Sequence, residues 1–220
     1  DSEGNDLPFG GKALENIEKI DLSNLDKRLK DIKFEVACDV TNPLIGEKGA
    51  SRIFGPQKGA TEEMIVVLDN ALKNYSEVIK RDLGIDITYE EGAGAAGGLG
   101  GALLAFLNAE LKKGIELVIK HTNLTEKIKD ADFVFTGEGG IDSQTIFGKT
   151  PMGVASVAKS NKVKTIAFAG KIDEGSENLY EVGITSIFSI MRGVSDIDTA
   201  LKMGKHNLEK TVENVMRVLI

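Results

Sequence analysis

Apolar positions along this 220-residue chain recur with two different periods. In the first half the clearest signal has the 3.6-residue period of a helix. Met64, Val67, Leu68, Ala71, Leu72, Tyr75, Val78 and Ile79 keep a three-to-four spacing that puts them on one face. Thr61 before them is a good N-cap, Glu62 and Glu63 suit the positive helix N-terminus, and Gly84 is a natural stop. IKFEVACDV (residues 32–40) alternates and is rich in β-formers, so it reads as a strand. IDITYEEG (85–92) reads as a second, short strand. A helix is expected from about Gly101 to Lys113, stopped by Gly114, with more helix through IELVIKHT and TEKIKDA.

From Ala131 the pattern changes to short continuous apolar runs, the mark of buried strands. ADFVFTGEGG, VKTIAFAGK and ITSIFSIM are three such strands. Between them lie TPMGVASVAKS, with Thr150 as N-cap and Pro151 at the first helical position, and the short helix ENLYEVG. A last helix starts at Ser195 or Asp196 and turns Leu201, Leu208, Val212, Val215, Met216 and Leu219 toward a core. Alternating strand and helix implies a parallel sheet. The expected fold class is therefore α/β in two domains: residues 1–130 mixed α+β, and residues 131–220 part of a doubly wound parallel-sheet domain.

A hydrophobic content of 41% allows a sizeable core, and with no Trp that core is aliphatic. The net charge of −7 argues against a nucleic-acid partner, which needs a basic face, though a glycine loop can still bind an anion locally. The single cysteine, Cys38, reads as a small buried hydrophobe; without a possible disulfide the chain fits a reducing cytoplasm. No apolar run approaches about 20 residues, so no membrane span is expected. The chain opens DSEGNDLPFGG without Met, which reads as a piece of a longer polypeptide.

Three loops carry candidate chemistry. EEGAGAAGGLGGALLAFL (90–107) contains G-x-G-x-x-G at Gly92, Gly94 and Gly97, followed by helix. A dinucleotide fingerprint would need a buried strand before it and an acid-tipped strand about 20 residues on. Here two carboxylates precede it, and Glu116 lies in helical sequence, leaving tight packing or a loop-to-helix anion site. TGEGGIDSQTIFGKTP (136–151) ends Gly-Lys-Thr like a phosphate-binding loop, but Ser143 stands where that motif needs its first glycine. What remains is Gly137, Glu138, Gly139, Asp142, Ser143, Gln144 and Lys149 around a turn past a strand's carboxyl end. Carboxylates, hydroxyls and a lysine there suit Mg²⁺–phosphate chemistry. The third loop, CDVTNPLIGEKGASRIFGPQKGA (38–60), sets Asp39, Asn42, Arg52, Gln57 and Lys58 among glycines, able to clamp a small carboxylate or phosphate. Neither His121 nor His206 has partners at metal-ligand spacing.

Together, CDVTNPL.G..GAS..FGPQKGA, EGAGAAGGLGGALLAFL and TGEGGIDSQT..GK.P.GVA strongly resemble the bacterial type I glycerate kinase family. The match starts at GNDLPFGG and runs nearly the whole chain. The resemblance implies ATP- and Mg²⁺-dependent phosphorylation of D-glycerate, with 2-phosphoglycerate, or alternatively 3-phosphoglycerate, as product. It implies a restriction-enzyme-like domain followed by the C-terminal part of a flavodoxin-like one. Asp142, with Glu138, would face Mg²⁺ or the glycerate hydroxyl, and Asp142 or Asp39 would act as base. Lys149 or Lys58 would offset phosphoryl charge, and Arg52 would meet the glycerate carboxylate. Gln57, Asn42, Gly92 and Gly94 would complete the substrate side. Gly137, Glu138, Gly139, Ser143 and Gln144 would line the ATP side. Relatives carry a long N-terminal region with a lysine-bearing DSFKG-like loop, not in this sequence, and many have arginine where Gly140 stands. The chain is thus expected to be inactive alone, and to form a homodimer or to pair with such a region. The rivals are a non-catalytic glycerate- or nucleotide-binding module and an NADH-dependent oxidoreductase using the glycine stretch.

Overall fold

The computed structural model describes residues 1–143 and 145–220, with Phe147 described through its backbone alone. It divides into two compact units, residues 1–114 and 115–220.

In the first unit, β1 (Glu35–Ala37) leads into a long loop, α1 (Ala50–Phe54) and α2 (Glu62–Leu83). The Thr61 hydroxyl accepts the Met64 N–H at 3.3 Å, and Gly84 closes α2 in the left-handed conformation (φ 73°), so both helix ends stand where the sequence puts them. α3 (Leu99–Leu107) and β2 (Glu110–Lys112) follow. β2 lies parallel to β1, with Glu35 directly opposite Glu110. Two facing carboxylates repel. Lys112 Nζ answers both, 2.5 Å from Glu35 and 2.7 Å from Glu110. The core gathers Leu44, Ile45, Leu72, Ile79, Ile87, Ala93 and Ala105.

Three sequence expectations are corrected here. The first strand keeps only Glu35–Ala37 of the nine residues expected. Residues 85–92 form no strand: Ile87 is buried as a core anchor and the Thr88 carbonyl accepts the Leu44 N–H. The expected helix to Lys113 ends at Leu107, because Asn108 turns left-handed (φ 48°) and the next residues pair with β1.

α4 (Gly114–Thr122) and α5 (Leu124–Ile128) open the second unit. The division falls at Gly114/Ile115 rather than near residue 130. Ile115 fills the space beside Gly153, and Ile128 shares a cluster with Ala158 and Val163. Then come β3 (Phe133–Ile141), α6 (Thr150–Ser160), β4 (Lys164–Ile172), α7 (Asn178–Val182), β5 (Ile184–Ser189) and α8 (Ile197–Leu219). The three strands are parallel in the order β3-β4-β5. Along β4, Ala167 and Ala169 pack with α6 and α7 residues, while Ile166 and Phe168 pack with Val215 of α8. Helices thus cover both faces, as the period-two alternation of a strand requires. Asp196 caps α8 by accepting the Thr199 N–H at 2.9 Å. Contrary to the sequence reading, Leu201 is 74% exposed, because α8 packs through Val212, Val215 and Leu219 nearer its end.

Candidate functional site

In the first unit, the Asn42 loop and the glycine stretch interlock. The Gly94 N–H donates to the Asn42 carbonyl at 3.0 Å, and the Asn42 side chain donates to the Lys48 carbonyl at 2.8 Å. The Gly46 N–H is held by Asp69 of α2 at 3.1 Å. A Cβ on Gly94 would stand 2.2 Å from the Pro43 carbonyl oxygen, and one on Gly100 2.1 Å from that of Gly92. The glycines are therefore needed for close backbone packing. Several amides of the stretch are already engaged: Gly94 donates to Asn42, Ala95 to Gly92, Gly98 to Ala95 and Gly101 to Ala93. The N–H groups of a helix entry bind an anion only when they are left unpaired. The missing preceding strand argues against a dinucleotide fingerprint, and the Gly94 N–H, given to the Asn42 carbonyl, is not free for an anion.

Arg52 is half-buried with Nε 3.3 Å from Glu47 Oε1. Gln57 and Lys58 are exposed on the turn Pro56–Lys58. Asp39 Oδ1 accepts the Gly114 N–H at 2.8 Å, a positional role the sequence did not suggest. Cys38 is half-buried, its thiol directed to the Val40 carbonyl at 3.2 Å, in keeping with a packing role.

In the second unit, β3 ends at Ile141 and delivers Asp142 at its carboxyl end, where ligands gather in open parallel sheets. Asp142 Oδ1 accepts both the N–H and the hydroxyl of Thr145, at 3.0 and 3.2 Å, and lies 3.6 Å from Lys149 Nζ. Thr145 is fully buried. The sequence reading passed over this contact to Asp142, for which the D-x-x-T spacing of a turn cap was the available signal. Lys149 also forms the backbone cap of α6, its carbonyl accepting the Met152 and Gly153 N–H groups. Ser143 is exposed, and Gln144 lies outside the described residues. Gly137 lets β4 approach: a Cβ there would sit 2.7 Å from the Phe168 carbonyl oxygen, while Gly139 faces open space. Glu138 is half-buried, and its Oε2 is shut off from solvent with no hydrogen-bond partner among the described residues. A cavity of about 800 Å³ lies between the Gly137–Gly139 stretch and α8. Its walls, with Phe135, Phe168, Leu208 and Val212, are mostly apolar, and Asp142 and Lys149 are not among them. Among the described residues, no three His, Cys, Asp or Glu side chains converge as a metal cluster, and no helix is long and apolar enough to cross a membrane.

The chain is of the mixed α/β class with parallel sheets. The model of the glycerate kinase family matches residues 1–220, and the chain belongs to that family. It is 50% identical over 219 residues to the glycerate 2-kinase of Escherichia coli K12, covering all of this chain and 58% of that protein. It is 46% identical over 215 residues to a glycerate kinase of Bacillus subtilis 168, covering 98% of this chain and 56% of the relative. A crystal structure from Salmonella typhimurium LT2, provisionally assigned as a glycerate kinase 2, superposes with a TM-score of 0.87 at 47% identity, covering 100% of this chain and 57% of that one. The chain thus spans just over half the length of the curated relatives it matches.

Proposed function

We propose that the polypeptide bearing this chain transfers the γ-phosphoryl group of ATP to D-glycerate, giving 2-phosphoglycerate. The observation that carries the reading is the Asp142–Lys149 pair, seated by Thr145 at the end of β3, in a chain of the glycerate kinase family. The choice of product follows the name of the Escherichia coli relative.

Phosphoryl transfer asks a protein for positioning and charge neutralisation rather than covalent chemistry. Asp142 orients the glycerate hydroxyl and takes its proton as the oxygen bonds to the γ-phosphorus. The bond from that phosphorus to the β–γ bridging oxygen breaks, and ADP leaves. Lys149, beside the Asp142 carboxylate, offsets charge on the transferring group. The residues fit Mg²⁺: this ion is held by one or two carboxylates plus phosphate oxygens, and a buried carboxylate oxygen without a partner is costly unless a cation or donor meets it. Glu138, with its orphaned Oε2, and Asp142 would hold the ion, whose contribution is to neutralise phosphate charge. Gly139, where a Cβ would meet nothing within 4 Å, leaves room for a nucleotide, with Ser143 near it in the chain. We read the first unit as the restriction-enzyme-like domain and the second as part of the flavodoxin-like one, in a cytoplasmic enzyme. The acidic charge and single cysteine support that location.

The test is Asp142→Asn in the enzyme at its natural length. kcat should fall by about 10²–10⁴ with the circular dichroism spectrum unchanged. A kcat within about threefold of the parent overturns the assignment. NMR of the product, reading phosphate on C2 or C3, checks the regiochemistry.

A further inference from the structure

A second element, besides the Thr145 turn, supports the loop that carries Asp142. β4, the strand next to β3, ends at Ile172, and residues 173–177 turn from there into α7. The turn is tied to the end of β3 on both its sides. The Asp173 N–H donates at 2.8 Å to the carbonyl of Ile141, the residue before Asp142. Leu179 of α7, 1% exposed, shares a core cluster with Ile141, and Ile146, four residues past Asp142, packs on the same cluster. Within the turn, Gly175 has a left-handed backbone (φ 83°) and donates its N–H to Glu177 Oε2 at 3.0 Å.

Gly175 lies directly against Ser143. A Cβ on Gly175 would stand 2.9 Å from Ser143 Cβ, closer than real side chains approach, and 3.6 and 3.9 Å from Ser143 Cα and N. Two separate causes thus keep a side chain out of position 175, the positive φ and the filled space. Positive φ does not bring crowding by itself: at Gly148 (φ 102°) a Cβ meets nothing within 4 Å. Ser143 is the chain neighbour of Asp142, whose Oδ1 is held by Thr145 and lies 3.6 Å from Lys149 Nζ.

We propose that Gly175 is a positioning residue for the Asp142 carboxylate, its bare Cα being the surface on which Ser143 rests. Ser143 is exposed, so a side chain at position 175 pushes it toward solvent, and the adjoining Asp142 moves with it. On the kinase reading above, on which this role rests, the turn between β4 and α7 sets the rate of phosphoryl transfer by acting through Asp142 rather than on the substrate.

Gly175→Ala and Gly175→Asn in the natural-length enzyme both add the Cβ, the second with less backbone strain, because Asn enters the left-handed region more readily. Both should lower kcat at least about tenfold, within what a displacement of about 1 Å costs. Ser143→Gly removes the atom that the new Cβ strikes and leaves only ordinary contact distances. Introduced into Ser143→Gly, Gly175→Ala should therefore cost less than about twofold in kcat. The thermal midpoint should be lowered by Gly175→Ala in both backgrounds, since the left-handed alanine remains in each. A Gly175 that serves the fold alone would lower the midpoint and leave kcat within about threefold of the parent in Gly175→Ala and Gly175→Asn, and that result overturns the proposal. An equal loss of kcat in the two backgrounds overturns it too, because the effect would then bypass Ser143.

The Thr145 amide gives a readout that needs no turnover. Its bond to Asp142 Oδ1 should open more often in Gly175→Ala, seen as faster hydrogen exchange, and the acceleration should vanish in the Ser143→Gly background. If Asp142→Asn keeps kcat within about threefold, the kinase reading of Asp142 falls and the exchange rates decide the placement by themselves. Faster exchange in Gly175→Ala then supports it, and an unchanged rate overturns it.

Discussion

Asp142 and Thr145 hold each other in a reciprocal turn. Thr145 donates its N–H and its hydroxyl to Asp142 Oδ1, and its hydroxyl oxygen accepts the Asp142 N–H at 3.1 Å. Thr145 is buried to the last atom, so the carboxylate is held from inside the fold, and Lys149 Nζ lies 3.6 Å from the same oxygen.

Thr145→Val keeps the shape and removes the hydroxyl. kcat should drop about tenfold, the scale of a misplaced catalytic group, with both KM values little changed. Thr145→Ser, which restores the oxygen, should return kcat to near the parent value. A lower thermal midpoint with unchanged kcat in Thr145→Val would leave Thr145 a purely structural residue.

Asp39 ties the end of β1 to Gly114, where α4 begins. Removing an acceptor of this kind costs about 1 kcal/mol. Asp39→Ala should lower the urea midpoint accordingly, and Asp39→Asn, which keeps a carbonyl oxygen, should lower it less.

Gly94 and Gly97 belong to one stretch and should respond differently. A side chain at Gly94 would enter the Pro43 carbonyl, whereas at Gly97 (φ 73°) a Cβ meets nothing within 4 Å. Gly94→Val should destabilise the first unit by about 3 kcal/mol or more, as overpacking against rigid backbone does. Gly97→Ala should cost only about 1 kcal/mol, the strain of a left-handed alanine. Denaturant unfolding of the two variants separates space from backbone conformation.

Asp82 ends up near the close of α2, where Arg81 and the Ile20 N–H hold its carboxyl down to a pKa of about 2. The unfolded value is near 3.9. A depressed folded pKa stabilises fully above the unfolded value and loses that contribution as pH falls through the folded one. The stability gap between parent and Asp82→Asn should therefore be constant from pH 7 to about 5, shrink below about 4 and close near pH 2. Hydrogen exchange should show the Ile20 amide as the site most exposed by the substitution.

Much of this was readable residue by residue. Thr61 and Gly84 bracket α2, Asp196 starts α8, and three apolar runs became β3, β4 and β5, because caps and uninterrupted apolar runs act locally. Where a segment's state depends on a distant partner, local pattern failed. Glu110–Lys112 looks helical and is a strand only because Glu35–Ala37 lies alongside. Ile85–Gly92 alternates like a strand but is anchored through Ile87 and Leu44 instead.

The site divides the same way. Asp142, Lys149 and Glu138 were evident from their residue types at the end of an apolar strand. Thr145 reads as an ordinary turn residue until its burial and its bonds to Asp142 are known. In the glycine stretch, only the fold shows that the Gly94, Ala95, Gly98 and Gly101 amides already have backbone acceptors. The sequence by itself determined the family, the alternation of elements and the charged groups on offer, since each is carried by neighbours along the chain. Tertiary structure alone decided which of those groups are already engaged, as Asp39 and Arg52 are, and which stand without a partner, as Glu138 Oε2 does among the described residues. Hydrogen bonds and ion pairs are made across space, and spacing in sequence does not record them.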